Sequence, residues 1–153
     1  MYPTLLFVHS WLRWVVLVLA LVAIFRAISG AASGRAWGRA DDLAGKLFLR
    51  ALDVQVLLGL LLYFALSPIT RAALGDFGGA MKISAMRFWA VEHWFGVVVG
   101  MVLAHRGQIR IRKLTDSAAK HKVAAIFWTL ALLAILASIP WPGTPNARPL
   151  FRW

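Results

Sequence analysis

"TLLFVHSWLRWVVLVLALVAIFRAI", residues 4–28, is apolar for long enough to cross a bilayer, yet it carries His9 and Arg13 near its start and Arg26 near its end. A transmembrane helix needs about 20 predominantly apolar residues, so the stretch predicts a spanning helix. Three further stretches are of the same kind, at about 45–67, 84–105 and 119–140. Prolines punctuate the ends: Pro3, Pro68, Pro140 and Pro142. The connections, about 31–44, 68–83 and 106–118, are short, so neighbours in sequence are expected to pack antiparallel. The expected fold is all-α, an integral membrane antiparallel four-helix bundle, with residues 1–153 forming one domain.

Composition agrees. Of 153 residues 61% are hydrophobic and only 15% charged, with a mean hydropathy of +0.73. Soluble domains lie near half apolar and a quarter charged. There is no cysteine, which excludes disulfides, thiolate metal sites, c-type haem attachment and a cysteine nucleophile. The net charge of +11 sits between the apolar runs rather than on one basic face, and no recognition motif accompanies it. It therefore reads as topology and attraction to anionic lipid, not nucleic-acid binding. The small residues of "AISGAASG" resemble a cleavage site, but no basic segment precedes the apolar run, which exceeds a signal core. The first helix is expected to be retained.

Lys and Arg set the orientation. Arg26, Arg35, Arg39, Lys46 and Arg50 flank the first connection, and Arg106, Arg110, Arg112, Lys113, Lys120 and Lys122 the third, eleven in all. Arg71, Lys82, Arg87, Arg148 and Arg152 make five on the other side. The richer side is expected to be cytoplasmic, with both termini outside a bacterial inner membrane. His9 and His93 then share a depth near the outer face, and His105 and His121 lie near the inner one.

Ionisable groups within a span are costly and carry a functional expectation. Two neutral imidazoles on different helices of one bundle suit axial ligation of haem iron. Arg13, four residues after His9 and on the same helical face, is placed to pair with a propionate or with Glu92. Gly96 and Gly100 follow His93 on one face, where bare backbone admits either a porphyrin or a close neighbouring helix. His105 in "AHRG" and His121 in "AKHK" read as solvated interfacial residues. Asp53 and Gln55 are polar within an apolar run; Asp53 reads as an interfacial salt bridge with Arg50, Lys120, His121 or Lys122, or as a contact for a proton or a quinone headgroup. No hydrolytic triad, phosphate-binding glycine loop, catalytic carboxylate pair or zinc-protease motif is present.

"HSWLRW", "QVLLGLLLYF", "MRFWAVEHW", "DSAAKHKVAAIF" and "ASIPWP" resemble, in the same order and over nearly the whole chain, a family of small four-helix bacterial membrane proteins labelled cytochrome b or cytochrome b561-like. The resemblance implies that His9 and His93 ligate a haem b on the outer side. Members of that family often carry His where this chain has Asp53, so a second, inner haem using that position and His121 loses a ligand here. One haem is expected rather than two. Three readings remain open: a haem-dependent electron-transfer protein, with quinol as a possible donor or acceptor; a cofactor-free accessory subunit of a larger respiratory or photosynthetic membrane complex; and a chlorin-binding accessory protein.

The orientation is directly testable. In intact cells Ser33→Cys is expected to resist membrane-impermeant thiol reagents and Gly78→Cys to label. Swapped labelling reverses the topology.

Overall fold

The computed structural model describes residues 1–151; Arg152, one of the five cations on the sparser side, lies outside the described residues. The described chain is helical throughout its ordered elements, with no strand among the described residues. Helix α1 runs Tyr2–Ser33 and α2 Arg39–Leu66. Two short helices follow, α3 at Pro68–Gly75 and α4 at Phe77–Lys82. Helix α5 runs Ser84–Lys113 and α6 Ser117–Ala137. Four of these six, α1, α2, α5 and α6, are long and apolar enough to cross a membrane.

The sequence spells most of the ends. Pro3 occupies the first turn of α1, where its missing N–H costs nothing. Gly34 closes α1 in the left-handed region at φ 65°, its N–H reaching Gly30 O. The Asp116 carboxylate accepts from Ala119 N at 2.6 Å, starting α6 two residues before the expected span. Ser67 caps α3 by accepting from Thr70 N at 3.3 Å, with Pro68 at the first helical position. The 68–83 connection is thus a helical hairpin rather than a plain loop.

Two π turns interrupt the α geometry at the same end of the bundle, Leu62–Leu66 closing α2 and Phe88–Glu92 inside α5. Each frees a carbonyl that a side chain then satisfies. Pro68 has no N–H to offer Tyr63 O, and Thr70 Oγ1 donates to it at 2.7 Å instead. Ala90 O accepts from the Tyr63 hydroxyl at 2.7 Å and from Trp94 Nε1 at 2.8 Å.

Helices α1, α2, α5 and α6 form a ring in that order, α6 also closing on α1, so α1 lies diagonally across from α5. Met1 and Phe151 share one end of the bundle, the terminal end, with the α3–α4 hairpin; the turns at 34–38 and 114–116 mark the other, the connector end. The seams are lined by small residues: Ala20, Ala104, Ala124 and Ala131 are fully buried. Trp128 of α6 lies at the centre with 1% exposure, against Gly45 of α2, where a Cβ would sit 2.5 Å from its ring. In lipid, where apolar burial offers helices no net drive to associate, such close approach supplies the attraction.

The connector end is tied by charge. Asp41, 2% exposed, accepts from Arg26 Nε at 3.1 Å, from Arg35 Nη1 at 2.7 Å and Nη2 at 2.9 Å, and from Gly38 N at 2.9 Å. The carboxylate beside it raises the Arg35 pKa further above its ordinary value. Trp37 completes the corner, its N–H donating to Ser117 Oγ at 3.0 Å and its indole N–H to Asp42 at 2.8 Å.

Asp41→Asn keeps the shape and removes the charge from these bonds. It is expected to cost about 1.5–3 kcal/mol, the scale of a charge-assisted hydrogen bond, read as a lower thermal midpoint in detergent. An unchanged midpoint would show that the arginines find equal partners in water.

Candidate cofactor site

A cavity of about 140 Å³ opens among the helices at the terminal end of the bundle. His9 enters it from α1 and His93 from α5, across the diagonal, with ring centroids 6.5 Å apart and planes at 71°. Gln55, Trp89, Arg13 and Arg148 share the lining, which is otherwise mainly apolar.

The tautomer of each ring follows from its neighbours. Pro140 follows α6 too closely for the helix to continue, which leaves Ser138 O among the unpaired carbonyls of that helix end. His93 Nδ1 lies 2.7 Å from it. A carbonyl only accepts, so Nδ1 bears the proton and Nε2 the lone pair. For His9 the side-chain amide of Gln55 decides. Gln55 Nε2 donates to His9 O at 3.0 Å and lies 3.3 Å from His9 Nε2. An amide nitrogen only donates, so here too Nε2 holds the lone pair. His9 Nδ1 is buried without a hydrogen-bond partner among the described residues. In both imidazoles Nε2 is thus the unprotonated nitrogen, though that of His9 already faces the Gln55 amide. Gly59, one turn beyond Gln55, lets the His9 ring lie against α2: a Cβ there would stand 3.1 Å from His9 Cε1.

Among the described residues no group of three or more His, Asp or Glu side chains could hold a bare metal ion. Two axial nitrogens suffice for an iron that brings its own equatorial ligands. His9 and His93, with ring centroids 6.5 Å apart, would be the two residues that hold such an iron. The donor set fits a haem.

Several sequence expectations are corrected. Glu92 does not pair with Arg13; it accepts from Arg87 Nε at 2.7 Å and is about half exposed. The π turn places residues five apart on one face, an association that 3.6-residue periodicity conceals. Arg13 Nη2 donates to Leu150 O at 2.6 Å, within the segment that follows α6. Gly96 and Gly100 face α6, not the cavity. A Cβ on Gly96 would collide with Ser138 Oγ, and one on Gly100 would lie 2.8 Å from Ile135 Cγ1. His121 is not a solvated interfacial residue: it is fully buried, packed into the hollow of Gly30 and against Trp37 at 4.9 Å, with Nε2 3.1 Å from Arg35 O. Asp53 meets none of its four expected partners but His105, at 2.7 Å between α2 and α5. The site that the resemblance implies from position 53 and His121 is therefore not assembled.

The segment after α6 folds back over the cavity. Trp14 Nε1 donates to Leu150 O at 3.2 Å, Phe151 stacks on Trp14 at 5.2 Å and 9°, and Arg148 lies over Trp89 at 5.4 Å. Arg148 counted only toward topology in the sequence; its place in the lining could not be read there.

No family model matches the chain, and no curated protein or solved structure is similar to it. Its reading therefore rests on its own residues.

Gly100→Leu is expected to force α5 from α6, at a cost of about 1–3 kcal/mol for an overpacked contact, read as a lower thermal midpoint. The loss should appear whether or not haem is supplied, because Ile135 and not a porphyrin faces this glycine.

Proposed function

We propose that this chain is a haem b protein of a bacterial membrane, moving electrons at the terminal end of the bundle. The observation that carries the reading is the diagonal meeting of His9 and His93, each with its Nε2 lone pair set by a named neighbour. Haem would supply one-electron chemistry; the protein supplies position and surroundings. Ser138 O holds His93 through Nδ1, an outer-shell arrangement of the kind that fixes metal-bound histidines, whereas Gln55 contacts His9 Nε2 itself and would have to turn aside for that atom to bind iron. Arg13 and Arg148 bring cations to the cavity suited to carboxylates such as propionates. The Lys and Arg asymmetry favours this end lying outside the cytoplasm, where quinol or another membrane donor would meet it.

A second reading has a specific observation behind it. The 140 Å³ void is on the scale that holds one benzene-sized molecule, so a porphyrin body requires lining side chains and the covering segment to part. A cofactor-free accessory subunit of a larger energy-converting complex needs no such opening.

A reduced-minus-oxidised spectrum of protein purified after expression with supplied haem separates the two. Sharp haem b bands are expected, lost or strongly shifted in His9→Ala and in His93→Ala, and nearly unchanged in His105→Ala. A colourless protein sinks the cytochrome reading in favour of the accessory subunit, and far-red absorption favours a chlorin.

A further inference from the structure

A second opening, independent of the haem reading, lies at the connector end between α2 and α5, with a volume of about 210 Å³. It is lined by Lys46, Arg50 and Asp53 of α2 and by His105, Gln108 and Arg112 of α5. Asp53 is occupied by His105 at 2.7 Å. Among the described residues none of Lys46, Arg50 and Arg112 has a carboxylate partner, so the groove holds three cations without ion pairs beside the single carboxylate of Asp53.

Gln108 adds an observation of a different kind. It is only 5% exposed, yet its side chain makes no hydrogen bond among the described residues. Nor are its amide atoms sealed off, since they are absent from the fully enclosed polar atoms without partners. A buried amide that lines this cation-rich groove leaves a donor without an acceptor, and a buried polar group left unpaired costs about 1–3 kcal/mol.

The surface beyond the groove is apolar. Positions 46, 50, 53 and 57 share one face of α2, and 112, 109, 105 and 102 one face of α5, by i+3/i+4 spacing. Both faces pass from cationic at the connector end to hydrocarbon toward the middle of the bundle, where Leu57 is 66% and Val102 50% exposed. An anion with an apolar tail matches that gradient, whereas a free anion uses only its upper part.

We propose that this groove seats the phosphate of an anionic phospholipid. Arg50 and Arg112 hold the phosphate oxygens, the Gln108 amide donates to them, Lys46 adds charge at the rim, and an acyl chain lies along Leu57 and Val102. Basic pockets between transmembrane helices are a known setting for such headgroups, and the planar guanidinium suits phosphate.

The test uses the full chain in mild detergent, with phosphatidylglycerol, phosphatidylcholine and inorganic phosphate as separate probes. Native mass spectrometry is expected to retain one phosphatidylglycerol, and that lipid alone is expected to raise the thermal midpoint. The pair Arg50→Gln with Arg112→Gln, on exposed positions that the fold does not need, should weaken retention tenfold or more; Gln108→Leu should weaken it as well. The pair Arg39→Gln with Arg106→Gln, at the same end but outside the groove, should leave it intact. Equal weakening by both arginine pairs would reduce the effect to a diffuse surface field and overturn the site. Equal retention of phosphatidylcholine, or an equal midpoint shift from inorganic phosphate, overturns the lipid assignment.

Discussion

Four apolar helices surrounded by hydrocarbon gain little from hiding apolar surface from one another, so their association depends on how closely their backbones approach and on the few polar ties between them. Both are visible here. Trp128 and His121 on α6 insert into hollows left by Gly45 and Gly30, and the alanines of the seams are fully buried. Asp41 then fixes the corner between α1 and α2 through Arg26 and Arg35. The clamp joins α1 to α2 at the connector end, and the His9–His93 cavity lies at the opposite end.

The two ends differ in backbone as well as packing. Both π turns lie at the terminal end, one closing α2 and one just before His93. Such turns concentrate at functional sites, and their carbonyls here are met by Thr70, Tyr63 and Trp94. A π turn also rotates everything beyond it relative to an unbroken helix. The direction in which His93 points is thus a property of residues 88–92 as much as of its own position.

The spans were legible because length and hydropathy alone decide them in a bilayer. The shared depth of His9 and His93 was legible as well, since α1 and α5 enter from the same side and depth follows from counting residues. Rotation about each helix axis was not. A helix that is apolar all round has no polar face to show which side meets a neighbour, so Gly96 and Gly100 were open between cofactor and helix until Ser138 and Ile135 were seen against them. His121 lay hidden in a cationic stretch, "AKHK", and its burial depends on Gly30, ninety-one positions earlier in the chain. Glu92 and Arg87 were missed because a spacing of five is silent in an α-helical reading. Gln55 was noticed only as polar; its two contacts with His9 depend on the crossing of α1 and α2.

The segment that covers the cavity has a consequence for how the molecule is made. Leu150 and Phe151, which engage Arg13, Trp14 and Trp11, leave the ribosome after all four spans have been synthesised. Through most of biogenesis the His9–His93 end therefore stands uncovered, and its cover follows the four spans. Anything too bulky for the covered void has its easiest entry in that interval, so the timing of the synthesis of residues 150 and 151 relative to the supply of a large ligand governs how much of the protein acquires it.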